Sequence, residues 1–166
     1  MENKNKWSFS ELSLKRLENV HPNLVNFIRE LLALSPYDIS IVEGVRSLET
    51  QQMYFSYGRT RFTDRWGRKV GIVTKCDGLI NKSQHQIHPD GYSHAIDFAF
   101  TGKQKGTLDW DANKYLEIRK IAEPLMKKYN IESENKEEAQ VEQDKAIKIS
   151  EKICNVEIYP FSSSEP

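Results

Sequence analysis

Several ingredients that would force a special answer are scarce or missing. Only two cysteines, Cys76 and Cys154, occur in 166 residues. They could form at most one bridge, so no disulfide framework holds the chain, and it reads as made in the cytoplasm. No apolar run approaches the ~20 residues that span a bilayer, and the polar start MENKNKWSFS does not read as a signal peptide. A surplus of one charge is also absent: 24 Lys and Arg balance 24 Asp and Glu. That balance argues against a protein that coats nucleic acid, whose affinity needs a basic excess. No internal repeat is present, no glycine follows Gly106, and no histidine follows His94. What remains is a single domain, long enough to bury a core unaided.

The patterning predicts an α+β domain. Ser8 with Glu11 fits a capping box ahead of a helix carrying Leu14, Leu17 and Val20. Pro22 suits the first position of a second helix, whose stripe is Leu24, Phe27, Ile28, Leu31 and Leu32. Strands are expected at residues 39–45, 95–100 and 153–159, with a shorter one at the GIVT run, 71–74. Ser47 should cap a short helix bearing Gln51, and Asp111 a longer one that Pro124 kinks or shortens. Glycines 58, 67, 71 and 78 break every period between them, which predicts a long surface loop there. Residues 130–152 form a divergent charged segment of the same domain; seven acids and four lysines fall within 132–152.

Three of the four histidines, His85, His88 and His94, lie within ten residues, among Asp90 and Asp97. Imidazole and carboxylate together can hold a catalytic zinc that keeps one position open for water. They are also compatible with an exposed polar loop. Asp97 stands in the apolar run HAIDFAF, where an unpaired carboxylate would cost several kcal/mol, so it needs a metal, an arginine or a hydrogen-bond network.

The runs VEGVRSLETQQMYFSYGRT, GIVT and SQHQ…GYSHAIDF, in that order, resemble the LAS zinc peptidases, in particular their VanY-like and phage-endolysin branches. The resemblance spans about residues 8–128. It implies a small antiparallel sheet with helices packed on it, and zinc-dependent hydrolysis of a peptidoglycan stem peptide at L-Ala-D-Glu or a D-Ala linkage. It implies His85 and Asp97 as metal ligands, with Ser83 and Ala95 as the small residues two places before them. The pair lies twelve positions apart rather than the family's seven, so an insertion of about five residues around HPDGY is expected, and His88 is the substitute ligand if the alignment slips. Arg46 matches the family arginine beside the cleft, placed to meet a substrate carboxylate or brace the ligand loop. Gln51 matches the glutamine a turn later, and Ser83 and Gln51 join Arg46 as expected substrate contacts.

The family's closing motif, an acid followed three residues later by a histidine ligand, is degenerate. Its direct match is Asn155-Val156-Glu157, with Asn at the ligand position and Lys152 at the base. A shift of one residue offers Glu151 as general base and Cys154 as thiolate ligand; Cys154 is alternatively a small buried hydrophobe or a partner for Cys76. The basic stretch RTRFTDRWGRK, with Phe62 and Trp66 interleaved, reads as a solvated loop or a surface for an anionic polymer.

Two function classes follow. One is a stem-peptide hydrolase of the endolysin type, synthesised in the cytoplasm and acting on the wall after release. The other is a catalytically silent module that keeps the cleft and binds a peptide or partner protein. Neither uses a membrane span, and a nucleic-acid-binding protein is a distant third reading, since the net charge is zero.

Overall fold

The computed structural model describes residues 6–131 and the backbone of residues 155–157. Four helices surround a small antiparallel sheet, in the order α1 (Glu11–Arg16), α2 (Pro22–Leu34), β1 (Ile39–Glu43), α3 (Leu48–Ser56), β2 (Ala95–Thr101), β3 (Leu108–Asp109), α4 (Ala112–Lys128) and β4 (Asn155–Glu157). The α+β expectation holds. Strand β2 is central: β1 lies along one edge, and β3 and β4 share the other.

The two faces of β2 have different tasks. Ile96, Phe98 and Phe100 alternate into the core, where they meet Leu24, Phe27 and Leu31 of α2 and Tyr115, Ile118 and Leu125 of α4. Each such side chain contributes on the order of 1.5–3 kcal/mol when fully buried. The intervening positions, Ala95, Asp97 and Ala99, belong to the opposite face. Helix α1 covers the outer edge of β1: Ser13 Oγ accepts from the Ile41 amide at 3.1 Å and Arg16 donates to the Ile41 carbonyl at 2.7 Å. The outward backbone groups of Ile41 on this edge strand are thereby satisfied.

Several local expectations are corrected. The cap of α1 is Ser10, whose hydroxyl accepts from Ser13 N, not Ser8. That helix stops at Leu17, and Leu14 is exposed because the single turn and a half is too short to bury a second stripe. Strand β1 ends at Glu43 rather than Val45. No strand forms at 71–74, where Ile72 and Val73 stay exposed, since both edges of β2 are taken. Helix α4 runs through Pro124. Pro124 and Lys120, whose carbonyl loses its bond, both lie on the exposed face, where solvent is available to the carbonyl. The charged segment from residue 132 to 154 lies outside the described residues, as does the remainder of the strand expected at 153–159.

Candidate active site

The site forms where β1, β2 and the loop before β2 converge. Asp97 is held at the middle of β2, flanked by the small buried residues Ala95 and Ala99. Its register partner on one side is Glu43 of β1, and on the other Asn155 of β4. Pairing between β1 and β2 is irregular: Ile41 faces Phe98, but Glu43, not Val42, faces Asp97. The extra residue is a β-bulge, a device that re-aims a side chain. Without it Glu43 would share the core-facing alternation of Ile39 and Ile41.

His85 arrives from the loop. Its Nδ1–H donates to the carbonyl of Gly44 at 2.8 Å. A carbonyl only accepts, so this bond fixes the tautomer and leaves the Nε2 lone pair free. Nε2 lies 3.4 Å from Asp97 Oδ1. That oxygen is buried and has no hydrogen-bond partner, an exception that demands a reason in a carboxylate. One donor atom each from Glu43, His85 and Asp97 lie within 4.8 Å of one another, the one such group of three or more found among the described residues. Asp97 keeps 20% of its side chain open, so the cluster can be reached from outside. Burial works against a charge on His85, but the neighbouring Asp97 carboxylate outweighs it, and the pKa is raised. The donor set therefore fits a divalent metal: one pre-oriented imidazole nitrogen and two anionic oxygens, of which the Asp97 oxygen is buried and unsatisfied.

Arg46 locks the site. Its guanidinium grips Glu43 through both carboxylate oxygens and donates to Gln51 Oε1 at 2.8 Å. It also stacks over Tyr54 at 4.9 Å, and its backbone amide donates to the His85 carbonyl at 2.7 Å. Burial opposes its charge, yet Glu43 and Asp97 more than compensate and raise its pKa. Gln51 is fully buried. Its carboxamide is committed to Arg46, the Cys76 carbonyl at 2.7 Å and Thr74 Oγ1 at 3.4 Å, so it holds Arg46 and anchors the long loop. Ser83 is buried and accepts from the His85 amide at 3.3 Å.

The wide spacing between His85 and Asp97 is absorbed locally. Gln84 and His94 close the neck of the intervening loop through His94 N donating to Gln84 O at 2.7 Å. The tip is a turn in which His88 N donates to Tyr92 O and Gly91 N to His88 O, both at 2.9 Å. His88 is carried away from the donor cluster and stacks on His94 with ring centres 4.5 Å apart. His94 in turn pairs with Asp90 at 2.7 Å. Glu151 and Cys154 lie outside the described residues. Sequence reasoning missed Glu43, although it stands in the VEGVRS run that carries the resemblance.

Comparisons with known proteins bear on the family and the fold. A family model described as phage L-alanyl-D-glutamate peptidase matches residues 5–144. The L-alanyl-D-glutamate peptidase of Escherichia phage T5 is 30% identical over 126 residues, covering 75% of this chain and 76% of that protein. The fold is similar to the crystal structure of the Serratia marcescens L-Ala D-Glu endopeptidase ChiX. That match has a TM-score of 0.58 at 18% identity and covers 94% of this chain and 92% of that one.

Proposed function

The chain belongs to the phage L-alanyl-D-glutamate peptidase family, and from that membership we propose that it is a zinc-dependent hydrolase of the peptidoglycan stem peptide, cleaving the L-Ala–D-Glu amide. The observation that carries the metal half of this reading is the convergence of Glu43, His85 and Asp97 donors around a buried oxygen without a partner.

In this reading His85, Asp97 and Glu43 hold the ion. Zinc, when bound, would supply Lewis acidity that polarises the scissile carbonyl and lowers the pKa of a water. Arg46 keeps Glu43 and the His85 backbone in register, so the donors are fixed before substrate arrives. Gln51 and Ser83 act through Arg46 and His85 rather than on the substrate, since both are buried. The proton acceptor is Glu151, which precedes the strand that pairs with β2 at Asp97. Cys154, which the sequence offers in place of the family histidine, is the alternative to Glu43 as third donor. The partner is the stem peptide of the wall, reached after release of the protein from the cell that made it.

The experiment is zinc content after dialysis, together with digestion of purified peptidoglycan and labelling of new amino termini. Stoichiometric zinc and new N-terminal glutamate support the proposal. Loss of turnover with zinc retained in Glu151→Gln assigns the base. Loss of zinc in Cys154→Ser but not in Glu43→Gln would move the third donor from β1 to the segment before β4. No zinc and no cleavage across walls of several hosts would leave a peptide-binding module as the function.

A further inference from the structure

The family site leaves one conspicuous element unused: the arm that rises between α3 and the His85 loop. Residues 61–70 fold back on themselves, with Val70 N donating to Phe62 O at 3.0 Å, Thr63 bridged to Lys69, and Asp64 N donating to Arg68 O at 2.9 Å. Asp64 seals the turn by accepting from the amides of Trp66 and Arg68 and from Arg68 Nε. Arg59 fixes the base, donating to Phe55 O at 2.5 Å and Thr74 O at 3.1 Å.

At the tip Trp66 is 65% exposed, with the guanidinium groups of Arg65 and Arg68 over its ring at 4.1 and 4.8 Å. Phe62, Ile72 and Val73 are likewise 57–63% exposed. The charge is segregated too. Residues 59–82 contain seven basic and two acidic side chains, a net of +5, so the rest of this neutral chain carries −5. Both acids are spent inside the arm and its loop: Asp64 in the turn, and Asp77 on the amides of Leu79, Ile80 and Asn81.

We propose that this arm docks the protein on the surface of an anionic lipid bilayer, with Trp66 leading into the headgroup layer and Arg61, Arg65, Arg68 and Lys69 meeting lipid phosphates. A soluble polyanion, even one whose bases stacked on Phe62 and Trp66, would leave Ile72 and Val73 in water. A bilayer interface takes cations and apolar groups alike, because indole and guanidinium sit at headgroup depth while aliphatic groups enter the acyl boundary. The positive arm and negative remainder would also orient the molecule, arm towards the lipid.

The test uses the full chain and sedimentation with vesicles of phosphatidylglycerol and phosphatidylethanolamine, against vesicles of phosphatidylcholine alone. Binding should be at least tenfold stronger to the anionic vesicles and weaken as salt shortens the Debye length from about 10 Å to about 3 Å. Arg61→Ala and Arg65→Ala, which leave the Asp64 turn intact, should each weaken partitioning about fivefold. Trp66→Ser should do so comparably, and the parent's fluorescence should shift to the blue with vesicles while that of Trp66→Phe does not. Equal unfolding midpoints show that the variants fold. Absence of binding to anionic vesicles, or binding that none of these variants weakens, overturns the proposal. If Phe62→Ser and Trp66→Ser bind like the parent while soluble polyphosphate displaces all of them, the arm is a polyanion site instead.

Discussion

Glu43 faces Asp97 across the β1–β2 pair, although its place in the alternation of Ile39 and Ile41 should turn it into the core. The bulge between Ile41 and Glu43 reverses that alternation for one residue. It thereby puts a second carboxylate beside the one that β2 already presents. Two carboxylates so close repel unless cations intervene, and here Arg46 engages one while His85 approaches the other.

This arrangement predicts distinct outcomes for the two acids. Asp97→Asn removes charge at the oxygen that lacks a partner, and should lower zinc affinity at least tenfold without lowering stability of the metal-free protein. Glu43→Gln should also lower affinity, but it deprives the part-buried Arg46 of its counter-charge and should cost about 2 kcal/mol of folding free energy as well. Chelator competition and urea unfolding of the metal-free variants separate the two effects.

Gly44 has no room for a side chain. An added Cβ would come 1.9 Å from the Arg16 carbonyl and 2.9 Å from Val20 Cγ2, so the strand end must move. Gly44 also supplies the carbonyl that orients His85. Gly44→Ala should therefore destabilise the fold by roughly 2 kcal/mol or more, as overpacking does, and weaken zinc binding together with it. A stable variant with parental affinity would show that the strand end yields at no cost.

Gln51→Leu keeps the volume near Gln51 but removes its hydrogen bonds to Arg46 and the Cys76 carbonyl. Leaving such groups unpaired costs roughly 1–3 kcal/mol. Because Gln51 also ties the 58–82 loop to α3, hydrogen exchange in that loop should rise before global unfolding. Unchanged exchange there would deny it the role of a strut.

Protonation of His88 should weaken the fold at the loop between His85 and Asp97 on acidification, against the opposite contribution of His85, whose pKa is raised. Burial and the neighbouring His94 lower the pKa of both His21 and His88. A histidine depressed in the folded state binds fewer protons there than in the unfolded chain, whose value is near 6.5. Stability is then unaffected above that value and falls as pH drops from it towards the folded pKa. Comparing urea midpoints at pH 7.5 and pH 5 for the parent and His88→Gln isolates the contribution of His88. The variant should lose less on acidification, and an equal loss would exclude His88.

Much of this protein was legible one residue at a time. The stripe of α2, the caps at Ser47 and Asp111, and the apolar face of β2 follow from periodicity and local hydrogen bonding, which depend on near neighbours in the chain. Asp97 was also legible, because a charge within an apolar strand announces that something must answer it. The placement of Glu43 was not, since a bulge changes the face of a residue without changing the sequence's alternation. Nor was the burial of Gln51, a polar residue that goes inside only because Arg46, Thr74 and Cys76 come from elsewhere to meet it. The closeness of His85 to Asp97 despite a separation of twelve positions also belongs to the tertiary structure. It depends on a backbone bond between Gln84 and His94 that closes the inserted loop, and on the Gly44 carbonyl, forty-one residues away in the chain, that turns the imidazole. Local chemistry chose the elements and supplied the donors, whereas long-range pairing, which no window of sequence contains, decided which of them meet.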